Sequence, residues 1–309
     1  MTLNYPKFRE WLTLKGYSSA TVQTIVRQAT EFLAWAAQEN IPEPAAMNYN
    51  DLMGYVQTCQ KRGVSQKVIA HYIIDVRKLY DFFISEDIRK DNPAAFIKLR
   101  GIKRRACYHI LSPQELQQLY REYPTVIPHD TRKNLPPQQE RNQLSRQRNK
   151  VMVGLLVNQG LRVEELKTLT VQDLQLREGQ ITVQSQRRTA QRILALESYQ
   201  VYELMDYLHV VRKAFTEACG PSNRLFLQWG NGEHFYNITG QILLYLRKIN
   251  AAVKNLDHVR ASVITHWVKI HDLRKAQYLA GHRYVSSTEA YKQQLLDELQ
   301  ADVKKFHPF

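Results

Sequence analysis

The chain has 309 residues, 44% of them hydrophobic and 23% charged, near the globular averages of about 45–50% and about 25%. That excludes a wholly disordered chain, and at roughly 150 residues per domain it suggests two domains. Forty-three Lys and Arg against 29 Asp and Glu leave a net charge of +14, which favours polyanionic partners, nucleic acid before anionic membrane, and specifies no fold.

Residues 6–100 read as helices joined by short polar turns. Ser18 or Ser19 caps a helix whose apolar positions Val22, Ile25, Val26, Ala29, Phe32 and Leu33 fall at three-and-four spacing, so one face is buried. Ile41-Pro42-Glu43-Pro44 breaks the pattern. Asn50 is expected to cap a second helix carrying Leu52, Tyr55 and Val56. After a turn at Gly63, Ser65 caps a third with Val68, Ile69, Tyr72, Ile73, Val76, Leu79, Tyr80 and Phe83, and Asp91-Asn92-Pro93 ends the region. Four or five helices make a small all-α domain, expected over 1–103. Residues 100–106 read as a basic linker whose Lys103, Arg104 and Arg105 can lie against phosphates or simply be solvated.

The second domain, expected over 104–309, opens on Ser112-Pro113-Gln114-Glu115, a capping box with proline at the first turn. Residues 124–149 are polar with four prolines and are expected to form a loop, long enough to be functional or mobile. An apolar helix follows from Val151 to Gln159. Gln180–Gln184 and Arg192–Leu196 flank a basic polar stretch and read as a β-hairpin. From Ser198 onward helices dominate, giving a mostly α fold with one small β element.

Cys59, Cys107 and Cys219 are scattered and fit neither a metal site nor a disulfide framework, so a reducing, cytoplasmic setting is expected. The first residues lack the apolar core of a signal peptide, and no segment approaches the ~18 apolar residues of a membrane span. There is no phosphate-binding G-x-x-x-x-G-K-[ST] motif, so nucleotide-driven chemistry has no support.

Four separated pieces carry chemistry: Gly160-Leu161-Arg162-Val163-Glu164-Glu165-Leu166, the hairpin with Arg187, Arg188 and Arg192, Asp257-His258-Val259-Arg260, and Leu279-Ala280-Gly281-His282 with Tyr291 nine residues on. Singly, each has an ordinary reading. Arg162 can pair with Glu165 or Asp173, His258 and His282 can be core or surface residues, and Tyr291 is one of 17 tyrosines. Together, in order and spacing, the pieces resemble the tyrosine recombinase (phage integrase) family. Tyr17-Ser18-Ser19-Ala20-Thr21 and Asp91-Asn92-Pro93-Ala94 extend the resemblance to the family's helical core-binding domain.

The resemblance implies an N-terminal all-α, SAM-like DNA-binding domain and an α+β catalytic domain, closing as a C-shaped clamp on double-stranded DNA. Arg162, Arg260 and His282 would be catalytic, and Tyr291 the nucleophile. It also implies a tail helix, about 292–309, that docks in a neighbouring protomer of a tetramer; packing on the protein's own core is the ordinary alternative.

Two positions depart from the family pattern. Asp257 stands where an H-x-x-R histidine is expected, with His258 one place later as its candidate substitute. Gln186, Arg187 and Arg188 stand where the hairpin lysine is expected. An arginine there supplies charge but is a poor proton donor. A family member that has lost efficient chemistry and only binds DNA is therefore a second reading, and an unrelated RNA-binding protein a third.

The chemistry needs no cofactor or metal. Two guanidiniums clamp the non-bridging oxygens of a phosphodiester as charge builds on them. A histidine hydrogen-bonds the phosphate or moves a proton, and nearby positive charge activates a tyrosine whose ordinary pKa is ~10.

Overall fold

The computed structural model describes residues 3–41, 43–99, 109–125, 137–186, 189–230 and 234–292. Lys103, Arg104, Arg105, Arg187, Arg188 and the tail beyond 292 lie outside the described residues. The chain divides into two compact units, Met1–Ala106 and Cys107–Phe309, each with its own apolar core.

The first unit holds α1 (Tyr5–Leu14), α2 (Ser19–Gln38), α3 (Tyr49–Lys61) and α4 (Gln66–Ser85). Ser18 and Ser65 cap α2 and α4 as expected, each accepting from the amide three residues on. The expected stripe Val22, Ile25, Val26, Ala29 and Phe32 is buried, and α2 packs on α4 through Ile69, Ile73, Val76, Leu79 and Tyr80. The cap of α3 differs from expectation. Asn48, not Asn50, is the N-cap: its side chain accepts from the amides of Asn50 at 2.8 Å and Asp51 at 3.3 Å, while the Asn48 amide donates to Asp51 at 2.8 Å. Two asparagines separated only by Tyr49 leave the frame open in sequence, and the reciprocal bond to Asp51 selects the first. At the far end, Asn92 donates to the Arg77 carbonyl at 2.9 Å and to Asp81 at 2.6 Å, so the stop at Asp91-Asn92-Pro93 is bonded back onto α4.

The second unit contains α5 (Pro113–Arg121), α6 (Pro137–Asn158), α7 (Val163–Thr168), β1 (Leu174–Gln175), β2 (Gln180–Val183), β3 (Arg192–Ala195), α8 (Ser198–Asp206), α9 (Arg212–Cys219), α10 (Phe235–Ile249), α11 (Leu256–Ile270) and α12 (Leu273–Ala280), then a helical segment over 286–292. The Ser112/Glu115 capping box forms as read. The hairpin forms with Ile181 opposite Leu194, and the short β1 makes an antiparallel sheet in the order β1-β2-β3.

The loop expected over 124–149 is overturned in its second half, where α6 already runs from Pro137. Proline suits a first helical turn because its missing N–H would be unpaired there anyway. Several of the polar residues that suggested a loop, Ser145, Arg146 and Arg148 among them, have partners inside the unit. Arg148 is fully buried, donates to the Leu227 carbonyl at 2.7 Å and to Asn149 at 3.1 Å, and lies over the Phe215 ring. Residues 126–136 lie outside the described residues. No helix among the described residues is long and apolar enough to cross a membrane.

The α3 cap gives a discriminating measurement. Asn48→Ala should cost about 1 kcal/mol, the usual loss of an asparagine N-cap, whereas Asn50→Ala, exposed at the second helical position, should stay within about 0.5 kcal/mol. Chemical denaturation of both variants checks the assignment; equal losses would contradict it.

Candidate active site

The site starts where α6 ends. Gly160 has φ of +54°, and a Cβ there would come within 3.1 Å of Val263 and 3.2 Å of Trp267. The chain thus turns hard against α11 in a conformation that favours glycine. Arg162 follows as the N-cap of α7, and Glu165 reaches back so that the Arg162 amide donates to its Oε2 at 2.8 Å.

Glu165 is completely buried, as is its principal partner Arg192 on β3. Arg192 donates Nη1 and Nη2 to the two carboxylate oxygens at 2.8 and 2.9 Å. Arg260, on α11, brings its Nη1 to 3.6 Å from Glu165 Oε2. It also donates to the Gly160 carbonyl, and through Nη2 to the Ala280 carbonyl at 2.6 Å. Burial pushes the Glu165 carboxyl up, but Arg192, Arg260 and the Arg162 amide outweigh it and hold the group below the usual carboxylate range. Burial brings Arg260 down to about 10, helped by Arg162 and Arg192 and opposed by Glu165; it remains a cation at neutral pH. Among the described residues the Arg162 guanidinium makes no hydrogen bond or ion pair, and its Nε is buried. Three guanidiniums against one carboxylate leave the cluster with excess positive charge.

Gly281 ends α12 in the left-handed region, φ +65°, and turns the chain so that the His282 amide donates to the Gln277 carbonyl at 3.1 Å. His282 Nδ1 meets the Thr288 hydroxyl at 2.9 Å. Its ring stacks on Tyr291, with centroids 5.8 Å apart and planes 15° apart. Tyr291 is half-buried on the 286–292 segment and acts electrostatically on Arg260. Burial, then the charges of Arg260, Arg162 and Arg192, push His282 down to about 4, so at neutral pH it is an uncharged imidazole.

The outer edge of β3 closes on this same loop. The Ala190 amide donates to the Gly281 carbonyl at 2.9 Å, and Thr189 bridges His282. The Ile193 amide donates to the Tyr278 hydroxyl at 3.0 Å.

Of the residues singled out in the sequence, Arg162, Arg260, His282 and Tyr291 come together. His258 is buried, with its Nε2 2.5 Å from the His109 carbonyl and its Nδ1 accepting from the Lys254 amide at 3.3 Å. The helical frame explains this: Asp257 is exposed while His258 and Arg260 are buried at different angles around α11.

For three contributors the sequence reading assigned no part in the site. Arg192 was visible only as one of several hairpin cations. Its parity with Leu194 on a short strand, which puts both on the inner face, was the available signal. Thr288 and Gly281 stand within the last motif, and their signal was that position beside His282 and Tyr291.

Residues 111–297 match the model of the phage integrase family, and residues 7–87 match that of the phage integrase N-terminal SAM-like domain. The chain is 27% identical over 312 residues to tyrosine recombinase XerC of Anoxybacillus flavithermus, covering 99% of this chain and 97% of the relative. It is 26% identical over 302 residues to tyrosine recombinase XerD of Oceanobacillus iheyensis, covering 95% and 94%. Among solved structures, the XerH site-specific recombinase bound to its difH substrate in a pre-cleavage complex superposes with a TM-score of 0.68 at 15% identity, covering 97% of this chain and 84% of that one. The Tn1549 transposon integrase in complex with transposon right end DNA gives 0.65 at 15% identity, covering 98% of each. These two likenesses establish the fold.

The His282 environment is measurable directly. Its ring should titrate near 4 by NMR, against about 6.5 for an unperturbed histidine. Because the folded value lies below the unfolded one, the unfolded chain binds this proton more readily between those limits. The contribution of His282 to stability is therefore complete above about 6.5 and is lost as pH falls toward 4. Denaturation of wild type and His282→Gln across that window should show a shallower pH dependence for the variant; a ring titrating at 6 or above would contradict the buried, cation-surrounded placement.

Proposed function

Because the chain belongs to the phage integrase family, we propose that it is a site-specific DNA recombinase that cuts and rejoins duplex DNA through a 3′-phosphotyrosyl intermediate. The observation that carries this reading is the convergence of Arg162, Arg260, His282 and Tyr291 from three separated stretches of sequence into one cluster with excess positive charge. The names of the recombinase relatives support it.

In this reading a scissile phosphate sits between Arg162 and Arg260, whose guanidiniums offer paired hydrogen bonds to its non-bridging oxygens. Arg260 is held by the Gly160 and Ala280 carbonyls, with Glu165 beside it, before substrate arrives, so little reorganisation of that donor is needed as charge develops in the transition state. The Tyr291 oxygen attacks phosphorus, the bond to the 5′ oxygen breaks, and that oxygen leaves as a hydroxyl once protonated. His282, uncharged and fixed through Nδ1 by Thr288, contacts the phosphate as a neutral group. Attack of a 5′ hydroxyl from another strand on the phosphotyrosine reverses the step, gives the proton back to Tyr291 and reseals the backbone. The bond energy is conserved, so no nucleotide is consumed. Assembly of four copies on paired sites through the tail, about 292–309, belongs to the same proposal, as does phosphate contact by Lys103, Arg104 and Arg105.

Tyr291→Phe removes one hydroxyl from a half-buried ring. It should leave melting and duplex affinity unchanged and abolish the covalent adduct on a nicked duplex site, seen as a shifted band on a denaturing gel. An adduct in that variant would reject Tyr291 as the nucleophile.

The hairpin supplies the second measurement. Arg187 and Arg188 stand where a lysine proton donor is expected, and a guanidinium with a pKa above about 12 hardly releases a proton near neutrality. Cleavage should then be limited by the leaving group. A substrate with a 5′-bridging sulfur, which departs without protonation, should react at least about tenfold faster than its oxygen counterpart. Equal rates would mean that another group delivers the proton.

A further inference from the structure

Arg192 is used by none of the steps above. Its side chain has no exposed surface, so it cannot touch DNA, yet three parts of the site meet on it. It takes both oxygens of Glu165. It sits where a Cβ on Gly281 would overlap its guanidinium, directly before His282. It also starts β3, the returning strand of the hairpin, whose preceding residues Thr189 and Ala190 bond to the His282 loop.

We propose that Arg192 is a positioning residue for strand cleavage: by occupying Glu165 it leaves Arg260 on the Gly160 and Ala280 carbonyls and free to face the phosphate, and it ties the hairpin to the His282 loop. The proposal rests on the recombinase reading. The argument is electrostatic. A buried carboxylate stripped of its partner is strongly unfavourable and seeks another cation. The nearest is Arg260 Nη1, 3.6 Å from Glu165 Oε2. A closer pairing there draws Arg260 off its two carbonyls and spends its charge inside the protein instead of on the substrate. Lysine cannot replace the arginine, because a single ammonium does not span both carboxylate oxygens in a planar fork.

The test uses the full chain as Arg192→Met, Arg192→Lys and the double variant Arg192→Met/Glu165→Gln, with single-turnover adduct formation on a nicked duplex at saturating protein. Arg192→Met should slow adduct formation by about 100-fold, the scale of one lost transition-state donor, with duplex Kd changed by less than about threefold because binding and chemistry separate for such a residue. Arg192→Lys should be slowed at least about tenfold at an unchanged melting temperature; it carries the test if the methionine variant does not fold. The double variant should recover at least about tenfold over Arg192→Met, since no unpaired carboxylate remains to capture Arg260.

A merely structural role predicts affinity and rate falling together and no recovery in the double variant; either result overturns the proposal, as does a wild-type rate in Arg192→Lys. Titration of His282 by NMR needs no DNA: the midpoint should rise in Arg192→Met and return toward wild type in the double variant. If the wild-type chain forms no adduct, the recombinase reading fails, and an unmoved His282 midpoint then overturns the Arg192 assignment separately.

Discussion

The second unit is organised around one carboxylate. Glu165 lies buried among Arg192, Arg260 and the Arg162 amide. Removing a carboxylate and a guanidinium from water costs several kcal/mol per ion, recovered only with excellent geometry and full hydrogen bonding. Here the geometry is a two-pronged fork with both contacts under 3 Å. Such a pair contributes little to net stability compared with apolar packing of the same volume. Its effect is positional, because the carboxylate accepts each donor from one direction and the elements carrying those donors must meet at it.

Those elements are α7, β3 and α11, with α12 completing the ring through the Ala280 carbonyl and the Gly281 turn. Two glycines make the approach possible. Gly160 lets the chain leave α6 in the left-handed region with α11 against it, and Gly281 leaves room for a guanidinium at the end of α12. Burial, with the same cations that hold Glu165 ionised, keeps His282 neutral. The resting cluster is therefore strongly cationic through arginine alone, and its charge does not change across the physiological range.

Much of this was legible in the sequence. Apolar spacing in α2 and α4, the caps at Ser18, Ser65 and Ser112, the hairpin, and the set Arg162, Arg260, His282 and Tyr291 follow from period, capping chemistry and motif order. What escaped has common physical causes. Residues 139–142 of α6 are polar because they are exposed, and the middle of the helix is polar because side chains such as Arg146 and Arg148 bond to distant segments, which hydropathy does not register. The choice between Asn48 and Asn50 turned on a reciprocal bond three residues away. His258 is offered as a substitute by adjacency in sequence, but sequence does not show which way each residue faces: neighbouring helical residues point about 100° apart, and the His258 ring faces the His109 carbonyl. Arg192 looked like one more phosphate-seeking cation until its partner was known, since charge type alone does not separate a solvated arginine from a buried one.

The sheet has only three short strands, and small sheets of this kind are vulnerable at their margins, where unpaired main-chain groups invite strands from other molecules. Here the margin of β3 is occupied by the Gly281–His282 loop and the Tyr278 hydroxyl. A chain whose last helices have not yet docked lacks its histidine and tyrosine and also displays an adhesive strand. The arginine–histidine–tyrosine cluster and resistance to aggregation are thus completed in the same folding event, and a truncation before α12 forfeits both.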